Sequence, residues 1–332
     1  MKTIRSALSR DQTDRVKGVF AFAVLLSHIR NNMAVLNGTL IGQILTNLAY
    51  LAVGVFFFLS GYGLLRQYRS RGEDYLDGFL CRRVLSTFLI MALVIVMKAG
   101  YQYLLFREFD WKLCLRSFLF GKTALAYGWF FQAILLLYLL FYLVYLFASR
   151  ASLRIVLIAL GMIGYVALSM LLSDQPSLYY NSVFCFPLGL LTARLSEDER
   201  MELWLEKRWG LVFPALILAF LAAALLGNLR TLPDSVRLPV KAASCVFFSG
   251  ALVLLLQRID LSGALTRKAG KLYLALYVSQ EFSIPLLRGP VVTVENDWLY
   301  CLLTIALSVM IAIPLQTLFQ AVQRLCQGAR KP

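Results

Sequence analysis

Apolar residues fall along this chain in ten runs of 16 to 26 residues, separated by short polar or charged stretches. The runs cover 16–35, 40–65, 83–105, 129–147, 153–172, 179–195, 211–226, 238–256, 272–287 and 298–319. At about 1.5 Å per residue, about 20 helical residues cross a hydrocarbon layer roughly 30 Å thick. The pattern therefore predicts an all-α fold, a polytopic transmembrane helix bundle of about ten spans. The sixth run is weakened by Asn181 and Pro187, and the ninth is interrupted by Ser279, Gln280 and Glu281. Between the third and fourth runs, Trp111, Leu115, Phe118 and Leu119 recur at helical spacing beside Lys112 and Arg116, which predicts a helix lying in the membrane interface. The first run is too long for a signal-peptide core and carries a histidine, so it reads as a retained span. Residues 1–332 read as one integral-membrane domain with no appended soluble domain.

Composition agrees with this class. At 60% hydrophobic and 15% charged, the chain is excluded from the ordinary soluble domains. The net charge of +15 does not imply nucleic acid, because orientation bias and anionic lipid account for basic loops between spans. With the N-terminus inside, 23 Lys and Arg fall on the cytoplasmic side and 8 outside. An even number of spans then places both termini in the cytoplasm. Four of the outer charges, Arg107, Lys112, Arg116 and Lys122, crowd one connection, where they suit anionic headgroups or an acidic acceptor. The six cysteines are dispersed without CxxC spacing and point to neither disulfides nor a metal.

The chain has a single histidine, His28, inside the first apolar run. An ionisable side chain at that depth is costly unless it faces other helices or a wet cavity, and is a functional candidate by default. Interhelical hydrogen bonding is the competing reading. Lys17 precedes it by eleven residues, which at about 100° per residue returns to nearly the same helix face. Glu281, ten residues past Lys271, falls at a depth similar to that of His28, twelve past Val16. It could orient the imidazole or pair with an arginine elsewhere. Arg66, Arg69, Arg71, Arg82 and Arg83 crowd the connection between the second and third runs. Their guanidinium forks match phosphate oxygens, although stop-transfer charge is the plainer reading. Gln132, Asn181 and Gln280 are polar positions suited to line a cavity or to hydrogen-bond between helices.

These residues resemble the membrane acyltransferase-3 family over nearly the whole chain. Lys17 and His28 match its basic residue followed by histidine, although arginine is usual where Lys17 stands, and Gly18 matches the glycine that follows. Val53 to Leu65, VGVFFFLSGYGLL, is similar to the second-span run ending in Ser-Gly-aromatic. Arg66 and Arg69 stand at its Arg-x-x-Arg motif, FLCRRV at the arginine-rich start of span three, and Trp129-Phe130 at its tryptophan-phenylalanine pair. KLYLALYVSQ, 271–280, matches the late Ser-x-x-x-Tyr-x-x-His stretch only in part, with Gln280 where many members carry a second histidine.

The resemblance implies transfer of an acyl group from acyl-CoA, with acetyl-CoA as the expected co-substrate, to a hydroxyl of a carbohydrate or other envelope acceptor. It implies a multi-pass protein of a bacterial cell membrane. His28 is the expected general base, with Glu281 beside it. Lys17, Arg66, Arg69, Arg82 and Arg83 are expected to hold the nucleotide phosphates, and Trp129 and Gln132 to contact substrate. Two readings of other classes stand against it: a proton-coupled transporter or flippase using His28 and Glu281 as a relay, and a non-catalytic membrane anchor.

Overall fold

The structure is a computed structural model and describes residues 2–121, 123–173, 179–229 and 231–328. Lys122, one of the expected outer charges, lies outside the described residues. The chain is 80% helical with no strands among the described residues. The helices are α1 (Ile4–Ala7), α2 (Arg10–Arg30), α3 (Leu40–Arg71), α4 (Ser86–Phe106), α5 (Trp111–Arg116) and α6 (Trp129–Phe147). They continue with α7 (Ala151–Leu172), α8 (Cys185–Leu195), α9 (Glu199–Gly227), α10 (Asp234–Leu256), α11 (Ala264–Leu287) and α12 (Asp297–Gly328). A π-helical turn, Leu80–Leu85, leads into α4.

Each of the ten apolar runs contains a helix or part of one, the sixth from Cys185 onward. Seven helical segments are long and apolar enough to cross a membrane: Leu40–Tyr75, Leu80–Phe106, Trp129–Phe147, Ala151–Leu172, Glu199–Gly227, Asp234–Leu256 and Asp297–Gln327. The other three runs form α2 and α11, which carry more polar residues, and α8, which is short. The chain is therefore a multi-pass membrane protein. Many large apolar side chains of the long helices stay exposed, among them Leu160, Ile163, Leu218, Leu225 and Met310, as lipid-facing residues do.

Two expected boundaries move for identifiable reasons. The first helix stops at Arg30 rather than Val35, where Asn31 and Asn32 favour a turn. There the Arg30 guanidinium donates to the carbonyls of Met33 and Leu36, each at 3.0 Å, and to Asn37 Oδ1. In the opposite sense, α11 runs unbroken through Ser279, Gln280 and Glu281: the first two donate to carbonyls of the helix itself, those of Leu276 and Tyr277, and Glu281 accepts from the amides of residues 126 and 127.

The chain divides into two compact units. The first comprises Met1–Phe20, Leu48–Gly72 and Tyr180–Lys271. Its central element is α3, in which Leu51 to Leu59 is apolar and small residues only, almost all of them buried, as a helix that is hydrophobic on every side should be. Glycines let the backbones close in. A Cβ at Gly61 would lie 2.2 Å from the Phe186 carbonyl oxygen of α8, and one at Gly189 would lie 2.1 Å from that of Phe58. Gly54 and Gly61 thus serve helix packing, whereas Gly63 faces open space.

The second unit comprises Ala21–Asn47, Glu73–Tyr179 and Leu272–Pro332. It holds the end of α2, the whole of α4 to α7, the latter part of α11, and α12. Ser283 and Ser308 hydrogen-bond at 2.7 Å between α11 and α12. Asp297 ties the connection after α2 to the start of α12 by accepting from the Val35 amide at 2.8 Å, and it pairs with Arg288. Of the helix expected between the third and fourth runs, α5 forms six residues, N-capped by Asp110 and exposing Trp111, Lys112, Leu115 and Arg116, while Phe118 and Leu119 lie beyond its end.

Candidate functional site

The second unit gathers buried polar residues of α4 and α11 near His28, which lies in the last turn of α2 and is partly buried. Its Nδ1 is 2.8 Å from Gln280 Oε1. The orientation of that amide is fixed by its other end, since Gln280 Nε2 donates to the Tyr277 carbonyl at 2.7 Å. An oxygen facing Nδ1 can only accept, so Nδ1 carries the proton and the lone pair of the neutral imidazole sits on Nε2. No described residue hydrogen-bonds Nε2. Gln280 is wholly buried, so the bond is shielded from water on the glutamine's side.

One face of the imidazole is covered by the ring of Tyr127, stacked at 3.8 Å between centroids and 9° between planes. Tyr127 comes from the connection just before α6, and α11 holds its backbone at both polar groups. Its amide donates to Glu281 Oε1 at 2.6 Å, and its carbonyl accepts from the Tyr277 hydroxyl at 3.0 Å. The other oxygen of Glu281 accepts from the Ala126 amide at 3.1 Å and lies 3.8 Å from the Lys98 ammonium. Lys98 also donates to the backbone carbonyl of Glu281. Burial and the Glu281 carboxylate hold the Tyr127 phenol well above its ordinary range, so the ring is neutral.

Glu281 therefore does not orient the imidazole as expected. Successive residues on a helix point about 100° apart, and it is Gln280 that faces His28 while Glu281 faces residues 126 and 127. A direct relay from His28 to Glu281 has no hydrogen bond to travel along among the described residues. Lys98, by contrast, is a member of this cluster that the sequence reading left aside. An ammonium inside an apolar span calls for a partner in the same membrane, and the buried carboxylate of Glu281 was available for it.

Gln132 is also not free to contact substrate. Its Nε2 donates to the carbonyls of Ser117 at 3.0 Å and Leu119 at 2.6 Å, and its Oε1 accepts from the Gly121 amide at 3.3 Å and the Tyr179 hydroxyl at 2.6 Å. Both donors are thus engaged and the oxygen accepts as well, the Tyr179 hydroxyl being shared with the Gly121 carbonyl. The residue braces the connection between α5 and α6, the role that buried amides most often play. Trp129 lies against Tyr179, with ring centroids 5.9 Å apart, in a half-buried aromatic cluster that includes Phe120.

The basic candidates fall in both units. Lys17 belongs to the first, where it pairs with Asp14 at 3.0 Å. Its neighbour Gly18 is required by a close helix approach, because a Cβ there would meet Gly270 N at 2.4 Å. Arg66 donates to the Tyr62 hydroxyl at 3.3 Å, and Arg69 pairs with Glu197 at 2.7 Å, with Arg5 3.9 Å from the same carboxylate. Arg82 and Arg83 belong to the second unit and sit on the π-helical turn, a feature frequent at functional sites. Arg82 donates to the Tyr75 carbonyl at 2.8 Å, and Arg83 lies among the phenols of Tyr75, Tyr138 and Tyr273.

No curated protein and no solved structure matches the chain. A family model described as an acyltransferase domain matches residues 11–317, a stretch that runs from the start of α2 into α12 and contains Lys17, His28, both pairs of arginines, Trp129 and Gln280. With that match over most of its length, on top of the motifs it carries, the chain belongs to the acyltransferase-3 family.

Proposed function

We propose that this protein moves an acyl group, acetyl in the simplest case, from acyl-CoA to a hydroxyl of a carbohydrate or other envelope compound, with His28 as general base. The observation that carries the reading is the hydrogen bond from His28 Nδ1 to Gln280 Oε1, which leaves the Nε2 lone pair available. Nε2 takes the proton of the acceptor hydroxyl as its oxygen attacks the thioester carbonyl. The tetrahedral intermediate collapses with cleavage of the carbon–sulfur bond, and the imidazolium returns the proton to the departing CoA thiolate. Attack by Nε2 itself, through an acyl-histidine, is the alternative route.

In this reading all ten helical runs span a bacterial cell membrane with both termini in the cytoplasm, α2 and α11 being shielded from lipid by the helices around them. Lys17, Arg66 and Arg69 of the first unit, and Arg82 and Arg83 of the second, are the cationic candidates for the phosphates of the nucleotide portion of acyl-CoA; guanidinium forks suit that task. Trp129 is the aromatic surface for the acceptor. The deciding experiment compares acetyl-CoA consumption by purified wild-type and His28→Ala protein in nanodiscs, with extracted envelope material as acceptor. Loss of a general base is expected to lower turnover by a factor of about 10² to 10⁴. Equal turnover in the two proteins would refute the assignment.

A further inference from the structure

The imidazole of His28 lacks the carboxylate partner that usually stabilises a catalytic imidazolium, since Gln280 is uncharged. Something else must favour the cation that forms when Nε2 takes a proton. The group in contact is the face of Tyr127, parallel to the imidazole at 3.8 Å. A neutral aromatic face attracts a cation held over it, and more strongly where water is excluded. The same contact keeps the imidazole from turning about its side-chain bonds.

A stacked ring can do this only if it is held in place, and here the connection preceding α6 is held at consecutive backbone groups. The amides of residues 126 and 127 bind the two oxygens of Glu281, and the carbonyl of residue 127 binds Tyr277. Glu281 is almost fully buried and Lys98 supplies its counter-charge. Tyr277, Gln280 and Glu281 lie within about one and a half turns of a single helix. One rigid element thereby sets both the edge of the imidazole, through Gln280, and its face, through Tyr127.

We propose that Tyr127 is a positioning residue for His28, held by the Glu281–Lys98 pair and Tyr277, whose ring confines the imidazole to one orientation and stabilises its cation. This rests on His28 being the base. It also gives the buried Glu281 a role other than proton transfer, because an ionised carboxylate is a strong acceptor for paired backbone amides.

The chain has one histidine, so histidine labelled with ¹³C and ¹⁵N reports a single imidazole in the full-length protein in nanodiscs. The imidazole protons of the wild type are expected upfield from the Tyr127 ring current. Tyr127→Leu is expected to remove that shift and lower kcat about tenfold with KM for acyl-CoA unchanged, while Tyr127→Phe retains both. Glu281→Gln keeps the tyrosine but turns one acceptor into a donor facing a backbone amide, and is expected to weaken the ring-current shift and lower kcat in step.

Wild-type kcat and an unchanged imidazole signal in Glu281→Gln would overturn the proposal, as would full activity in Tyr127→Leu. Should Tyr127→Leu fail to fold, the Glu281→Gln comparison decides alone. His28→Ala run alongside separates the two failures. An inactive His28→Ala beside a fully active Tyr127→Leu sinks the positioning role only, whereas an active His28→Ala sinks the base assignment on which it rests.

Discussion

Replacing Gln280 by leucine tests the part of the site on which the chemistry most depends. The two side chains are similar in size, so packing inside the bundle is largely kept, while the acceptor 2.8 Å from His28 Nδ1 is lost. A hydrogen bond of this kind contributes roughly 0.5–1.5 kcal/mol net, and leaving the buried N–H unpaired costs about 1–3 kcal/mol. Both effects act against the Nδ1–H tautomer, the only neutral form with its lone pair on Nε2. A penalty of about 1.4 kcal/mol already lowers the fraction of productive tautomer about tenfold, and the loss in triad enzymes whose histidine is held in the wrong tautomer reaches about 10⁴. Gln280→Leu is therefore expected to lower kcat at least about tenfold while KM for acyl-CoA stays put, since no phosphate contact is touched. The ¹⁵N shifts of the lone imidazole report the tautomer directly. Gln280→Glu keeps an acceptor at the same place and adds a negative charge, so it is expected to keep the wild-type tautomer and to recover most of the lost rate. Wild-type kcat in Gln280→Leu, with the imidazole's nitrogen shifts unmoved, would refute the reasoning.

The remaining predictions separate structure from binding. Gln132→Leu strands two carbonyls and an amide in the second unit, each at a cost of about 1–3 kcal/mol where no water replaces it, while the Tyr179 hydroxyl keeps the Gly121 carbonyl. It is expected to lower the unfolding temperature and yield, with kcat per folded molecule close to wild type; an unaltered melting profile would contradict the bracing role. Replacing Arg66 and Arg69 together by glutamine is expected to raise KM for acyl-CoA several-fold with kcat little changed, as loss of uniform binding should. A fall in kcat at unchanged KM would place these arginines elsewhere in the mechanism.

Much of the fold was legible because apolar run length is a strong signal in a membrane protein: every run contains a helix or part of one, and Trp129–Phe147 coincides at both ends. Ends set by side chains were harder. Nothing in the periodicity says that Arg30 folds back onto the carbonyls of Met33 and Leu36 to close α2 five residues early. At the site, His28 stood out as the one histidine, but its partners did not. Equal depth made Glu281 the natural companion, whereas contact is decided by the angle around α11, and that angle selects Gln280. Lys98 carried a usable signal, a cation within an apolar span that had to be neutralised. Tyr127 carried none, because its place over the imidazole depends on three hydrogen bonds from another helix.

The exchange of a second histidine for Gln280, read against the family pattern, narrows what the site can do. A glutamine reproduces half of histidine's chemistry: it accepts a hydrogen bond and fixes a tautomer, but it neither takes nor gives up a proton near neutral pH. Among the described residues of this site, His28 is then the group suited to shuttle the proton in the proposed reaction, since Glu281 is committed to two amides and Lys98. In the acyl transfer proposed above, the proton taken from the acceptor would stay on Nε2 until the carbon–sulfur bond breaks, and the same nitrogen would deliver it to the thiolate. Such a single-base cycle makes the lifetime of the imidazolium a determinant of rate. On that proposal the groups touching this ring, Gln280 at its edge and Tyr127 on its face, would bear on turnover more directly than the more numerous arginines.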